Sequence, residues 1–195
     1  MDKFILKRQY QIRKAQRILQ SGGVIAYPTE GVYGLGCLPQ EIGVKNLLRL
    51  KKRSPKKGFI LLASSLQQLS HYLSPRIYRQ LKQQVQRCEQ EPISWVVPAR
   101  KQVPLWLKGA HHSLAVRLSK HPIPFSLCRQ SNSPLISTSA NISHQPSAIN
   151  DQNVRDYFHY RLDLIIKAPT GVLNGPTEIR DLISGKCLRA STSTP

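Results

Sequence analysis

The sequence predicts a single α/β domain built on a mixed sheet, and three observations carry that expectation. At 195 residues and 40% hydrophobic content the chain is long and apolar enough for one core. Strand-type and helix-type segments intermingle from end to end, the pattern of one α/β layer structure rather than of segregated α and β parts. No repeat, long linker or low-complexity tract divides the chain. One domain is therefore expected over residues 1–195, with a core from about 8 to 190 and a frayed Ser/Thr-rich end at Ser191 to Pro195.

The elements follow in order. Ile12, Ala15, Ile18 and Leu19 recur at helical spacing within 8–20, and Gly22-Gly23 stops that helix. Val24 to Tyr27 is a short strand ended by Pro28. Val44, Leu47 and Leu48 give residues 41–52 an apolar helical face, and Phe59 to Ala63 reads as a buried strand. Ser64 or Ser65 is a cap candidate for the next helix, and a further helix is expected at 75–87. Ile93 to Pro98, Leu114 to Leu118 and Leu135 to Thr138 are strand candidates. Asn150 or Asp151 caps a helix running to Phe158, Leu162 to Ala168 returns to strand, and Thr177 to Leu182 pairs with Lys186 to Arg189 in a hairpin around Ser184-Gly185.

The charge balance points to polyanions. Twenty-nine Lys and Arg oppose ten Asp and Glu, a formal charge of +19. Between Glu41 and Asp151 only Glu89 and Glu91 are acidic. Cys37, Cys88, Cys128 and Cys187 are widely spaced and form no C-x-x-C pair, so free thiols in a reducing cytosol are expected rather than a zinc ribbon or disulfide framework. With no signal-peptide pattern and no apolar run of ~20 residues, the expected location is the cytoplasm, away from membranes.

Two segments more than a hundred residues apart carry the chemistry. Gly22 to Gly36 and Ser137-Thr138-Ser139-Ala140-Asn141 each read as an apolar strand ending in a loop of glycines or small hydroxyls, suited to an anion. Between them lies the cationic run Lys51 to Gly58. Each signal has a plainer reading: the glycines turn the chain or admit close packing, Thr29 caps a turn, the hydroxyls bond their own backbone, and the cations solvate a helix end. Their coincidence favours a ligand site. The sequence has no G-x-x-x-x-G-K-[ST] loop, and the glycines at 31, 34 and 36 do not follow the dinucleotide order. His111-His112 is weighed as a metal site against a surface loop, with no third ligand nearby in sequence.

Taken together, Y-P-T-E-G-V-Y-G-L-G, K-K-R-S-P-K-K-G, L-A-V-R-L and S-T-S-A-N closely resemble the YrdC-type threonylcarbamoyl-AMP synthases in their short, single-domain form, in order from about residue 10 to 190. The resemblance implies a twisted, mixed open sheet flanked by helices, with a basic concave ligand cleft. It implies a nucleotidyltransferase that makes threonylcarbamoyl-AMP and pyrophosphate from L-threonine, bicarbonate (or CO2) and ATP, for the threonylcarbamoyl modification of adenosine 37 in tRNAs reading codons that start with A. The family pattern falls on Lys51, Arg53, Ser139 and Asn141 as the catalytic group. Arg53, Lys57, Ser113, Ser139, Ser147 and Arg189 are implied ATP contacts; Thr29, Arg117, Ser137 and Thr177 are implied threonine contacts. Mg2+ is expected to arrive with ATP rather than on protein ligands, and partners are expected to include tRNA or double-stranded RNA and the enzymes that transfer the threonylcarbamoyl group.

Some positions depart from the family pattern. Gly31 stands where many relatives carry Thr or Ala, Lys57-Gly58 replaces Asn-Pro of the long form, and Leu62 falls where the long form has a histidine. The alternative reading is a non-catalytic module that binds tRNA or rRNA phosphates through its basic surface.

Overall fold

The computed structural model describes residues 3–89 and 91–191. Its elements run α1 (Lys3–Gln20), β1 (Ile25–Pro28), β2 (Tyr33–Cys37), α2 (Glu41–Lys51), β3 (Ile60–Ala63), α3 (Pro75–Arg87), β4 (Ser94–Pro98), α4 (Leu105–Lys108), β5 (Ser113–Leu118), α5 (Pro122–Ser131), β6 (Leu135–Ser139), α6 (Asp151–Phe158), β7 (Leu164–Ile165), β8 (Ile179–Asp181) and β9 (Cys187–Arg189). The strands form one open mixed sheet in the order β7-β1-β2-β6-β3-β5-β4-β8-β9. β1/β7, β3/β5 and β4/β8 are parallel pairs, and the other neighbours are antiparallel.

Alternation along the strands explains why there is room for a ligand. Tyr33, Leu35, Leu61, Leu114, Val116 and Ile136 point to one face, where α2, α3, α4 and α6 bury Val44, Leu47, Leu81, Leu107, Val154 and Phe158 in the main core. Each full burial of that kind contributes ~1.5–3 kcal/mol. The intervening residues point to the other face. There α1 and α5 cover only part of the sheet, packing Ile12, Ala15, Leu19, Ile123 and Leu127 on Ile25, Tyr27 and Leu62. The remainder of that face is lined by short side chains from central strands, including Gly34, Ala115, Ser137 and Ser139, and stays open as a cleft.

Three sequence expectations change. The glycine-rich run is not a loop to Gly36: only Thr29 to Val32 turns, and Tyr33–Cys37 is a strand. A Cβ on Gly36 would lie 2.6 Å from the Tyr27 hydroxyl and 2.7 Å from the Ile136 carbonyl oxygen, so close packing across the sheet sets that glycine. The first helix begins at Lys3 rather than residue 8. α5 was not anticipated, although Pro122 at its start and His121, whose Nδ1 accepts from the Ile123 N–H, mark its beginning.

Other expected features form, though Leu162 to Ala168 yields only the two-residue β7 (Leu164–Ile165). Asn150 caps α6 by accepting from the Asn153 N–H at 2.8 Å. The terminal hairpin forms, and the Asp181 carboxylate accepts from the Ile183 and Ser184 N–H groups in its turn. Ser64 and Ser65 precede only a 3-10 turn, Leu66–Leu69, which Ser65 does not cap with its side chain. The frayed end expected at 191–195 lies, Ser191 apart, outside the described residues.

Candidate active site

The cleft has a volume of about 470 Å³ and lies on the open face of β2, β6, β3, β5 and β4, closed at one side by β8 and β9. Residues 113, 115 and 117 of β5 share a strand face by the two-residue period, so Ser113, Ala115 and Arg117 all line it. Ser137 and Ser139 do the same from β6. Gly34 sits opposite Ser139 in the ladder, and a Cβ there would approach the Ser137 Oγ to 3.3 Å.

At one end Arg117 is paired with a carboxylate. The buried Arg117 donates through Nη1 to Thr177 Oγ1 at 2.7 Å, and its Nη2 lies 3.3 Å from Glu30 Oε2 as a buried ion pair. Glu30 Oε1 accepts from the Ser119 hydroxyl at 2.5 Å, Thr177 Oγ1 is 3.1 Å from Ser94 Oγ, and Arg189 donates to the Thr177 carbonyl at 2.8 Å. Burial alone raises the Glu30 pKa, but the Arg117 charge and the Ser119 hydrogen bond outweigh it, so the carboxyl is held below its ordinary value. Arg117 Nε is buried without a hydrogen-bond partner. With one contact each on Nη1 and Nη2, the guanidinium keeps Nε–H and further Nη–H donors for a carboxylate. Tyr27 donates to Ser137 Oγ at 3.0 Å, and Thr29 Oγ1 donates to the Val32 carbonyl at 2.8 Å, closing its turn.

The other end is built on the loop after α2. That helix ends at Lys52, whose left-handed backbone (φ 48°) turns the chain so that Arg53 enters the cleft. Arg53 donates through Nη2 to the Gly58 carbonyl at 2.8 Å, stacks 5.3 Å from the Phe59 ring centroid, and leaves Nε unpartnered. Its pKa is pushed down by burial. Lys51 turns the opposite way. Its Nζ, 2% exposed as a residue, donates to the Ser139 carbonyl at 2.5 Å, the Asn141 carbonyl at 2.8 Å and Asn141 Oδ1 at 3.0 Å. Asn141 Oδ1 also accepts from Ser139 Oγ at 2.8 Å. Burial, then the nearby Arg53 charge, pushes the Lys51 pKa down to about 7.

The cleft thus gathers Thr29, Arg53, Ser113, Arg117, Ser137, Ser139, Thr177 and Arg189 from the residues singled out in the sequence. Lys51 and Asn141 sit behind its wall and shape the β6 exit rather than lining it. Lys57 is exposed and Ser147 half-buried, and neither lines the cleft. Sequence reasoning missed Glu30, Lys108, Phe59 and the cleft position of His111. Glu30 was legible only as part of a motif, because its partner is 87 residues away and its hydrogen-bond donor 89. His111 and His112 are both exposed. Among the described residues no group of three or more His, Cys, Asp or Glu is placed to hold a metal ion. Among the described residues no Asp or Glu lines the cleft, and Glu30 beside it is engaged by Arg117 and Ser119, so the donor set suits an anion rather than a protein-held cation. No described helix is long and apolar enough to cross a membrane.

Known proteins resemble this chain in sequence and in fold. The profile of the Sua5/YciO/YrdC family, described as Telomere recombination, matches residues 17–191. A threonylcarbamoyl-AMP synthase of Nitrosococcus oceani is 44% identical over 181 residues, 92% of this chain and 97% of that protein. One from Coxiella burnetii is 42% identical over 179 residues, 91% and 96% of the two chains. Among solved structures, E. coli YciO superposes with a TM-score of 0.76 at 25% identity over 95% of this chain and 91% of its own. P. abyssi Sua5 complexed with L-threonine superposes with a TM-score of 0.85 at 29% identity over 92% of this chain, which spans about half (54%) of Sua5. With a family profile across nearly its whole length and relatives above 40% identity, the chain belongs to the Sua5/YciO/YrdC family.

Proposed function

We propose that this chain is an L-threonylcarbamoyladenylate synthase, a nucleotidyltransferase serving the threonylcarbamoyl modification of adenosine 37 in tRNA. The amine of L-threonine adds to CO2 derived from bicarbonate and forms a carbamate. A carbamate oxygen then attacks the α-phosphorus of ATP; the new O–P bond forms as the bond to the α–β bridging oxygen breaks, and pyrophosphate leaves. The observation that carries this reading is the meeting of eight residues singled out in the sequence, five of them in its motifs, on one cleft in a chain of this family.

Threonine lies at the Arg117 end. Arg117 supplies charge and its unpartnered Nε, while Ser137, Thr177 and Thr29 orient the amino acid. Arg53, Ser113, Ser139 and Arg189 hold the nucleotide, and Arg53 answers charge that builds on the phosphates. Ser147 and Lys57, outside the cleft wall, reach ATP only if their segments close on it. Lys51 acts through Asn141 and the Ser139 carbonyl as a positioning residue. No protein nucleophile is needed: the reaction needs two anions brought together, a short-lived carbamate shielded from water, and fixed positive charge. Mg2+ would come with ATP and offset phosphate charge, with few protein ligands available to it in the cleft.

The net charge of +19 supports tRNA or double-stranded RNA as a partner, with the threonylcarbamoyl-transfer enzymes as recipients of the adenylate and the cytoplasm as the place. The test is pyrophosphate release with ATP, Mg2+ and bicarbonate. Release that requires both L-threonine and bicarbonate, and falls when serine replaces threonine, supports the synthase. A folded protein that binds RNA yet releases nothing above background is a binding module instead.

A further inference from the structure

We propose that Lys108 and His111 form a leaving-group wall that holds the pyrophosphate end of the triphosphate. The inference rests on the synthase reading and concerns residues to which that reading gives no role. Both residues line the cleft beside Arg53, Gly58 and Ser113.

The wall is built around Gly58. Its carbonyl accepts from Arg53 Nη2 at 2.8 Å, and a Cβ on it would lie 3.0 Å from the Lys108 carbonyl oxygen and 3.7 Å from the His111 ring. The turn between α4 and β5 is zipped onto the same loop. Ala110 N–H donates to the Lys56 carbonyl at 3.0 Å, and Gly109, at φ 67°, comes so close that a Cβ would lie 2.4 Å from that oxygen. Only glycine fits there, in conformation and in space. Arg53, Lys108 and His111 are therefore delivered to one place by two loops bonded to each other.

None of the three has an anionic partner among the described residues. Among the described residues no carboxylate forms an ion pair with Arg53, Lys108 or His111, whereas Arg117 is paired with Glu30. A multiply charged anion is what such a wall lacks. Its position along the strand assigns the anion's part. Ser113, two residues after His111, and Arg117 are four residues apart on one face of β5, which at about 3.3 Å per residue separates them by about 13 Å. In-line displacement puts attacking and leaving groups on opposite sides of the α-phosphorus. With the carbamate coming from the Arg117 end, the leaving pyrophosphate faces His111 and Lys108. An imidazole donates an N–H to a phosphate oxygen whether neutral or charged, and a lysine serves as a mobile point charge.

The experiment measures Lys108→Ala, His111→Ala and the double variant against wild type. Calorimetry with inorganic pyrophosphate alone and with AMP alone gives binding, and steady-state kinetics gives KM for ATP and threonine and inhibition by pyrophosphate. The double variant is expected to bind pyrophosphate about tenfold or more weakly, since hydrogen bonds to charged groups are the strong ones, with AMP affinity and threonine KM within about twofold of wild type. Lys108→Arg should recover most of the lysine's share. Unchanged pyrophosphate binding, or equal loss of AMP and pyrophosphate, overturns the proposal. A wild type that binds pyrophosphate through these residues but forms no threonine-dependent product leaves the wall standing and removes the synthase reading, so the two failures are separable.

Discussion

The two ends of the cleft hold the same kind of charge in opposite states. At the Arg117 end the guanidinium is buried, faces Glu30 and is bonded to Thr177, and even the bonded hydroxyl has a further neighbour in Ser94. At the Arg53 end Arg53 leans on a backbone carbonyl and an aromatic face, and among the described residues no carboxylate pairs with it, Lys108 or His111. A buried guanidinium without a counter-charge is costly, so Glu30 belongs to the architecture of its end. An exposed or half-buried cation is solvated and can stand alone until an anion arrives. One end is pre-satisfied and rigid, fit to select a small zwitterion; the other is left wanting, fit to attract a polyphosphate.

Breaking the paired end should have the largest effect. Arg117→Ala strands the Glu30 carboxylate in the interior and is expected to lower stability by about 3–5 kcal/mol in urea unfolding, with loss of threonine binding. An unchanged unfolding midpoint would show that the pair is not structural. Arg53→Ala should do the reverse: stability within about 1 kcal/mol of wild type, but kcat/KM for threonine-dependent pyrophosphate release down by about a hundredfold or more. Near-normal turnover there would erase the functional half of the comparison.

A smaller effect separates Lys51 from both. Its folded pKa of about 7 lies below the ordinary lysine value of 10.5, so between these pH values the unfolded chain holds a proton the folded chain lacks. Stability should therefore rise with pH across that window, by up to about 1.4 kcal/mol per pH unit from this group, and its full penalty is present below pH 7. Lys51→Met is expected to flatten that slope in pH-dependent urea titrations. The smallest effect is expected from salt. Between ~50 and ~200 mM, threonine affinity should move less than about twofold, while pyrophosphate and RNA binding weaken markedly. Equal salt dependence for threonine and pyrophosphate would mean that the two ends do not differ as described.

Local features of the fold were legible because their causes are local. Asn150 caps α6 through an N–H only three residues ahead, the Asp181 turn bonds within four residues, and alternation along β5 needs only neighbours in sequence. The glycine run misled because Gly34 and Gly36 answer to Tyr27 and β6, not to the turn between them and Pro28. α5 escaped notice because its apolar positions, Ile123 and Leu127, lie among Pro, Ser and Cys.

In the site, motif resemblance located Thr29, Arg53, Arg117, Ser137, Ser139 and Thr177 on the cleft, but resemblance says nothing of who pairs with whom. Lys51 was grouped with Arg53, two residues on; the structure sends it to Ser139 and Asn141, 88 and 90 residues away. His111 was weighed as metal ligand or surface loop and stands on the cleft wall.

By itself the sequence determined the kinds of elements, the excess of positive charge and the stock of small, hydroxyl and cationic groups available for a site, since composition and short-range periodicity settle these. Which cations are neutralised and which are left open to a ligand was decided only in the tertiary structure. Pairing energy depends on separations of a few ångströms between residues 60 to 90 positions apart, as in Arg117–Thr177 and Lys51–Asn141, and on how far each is removed from water.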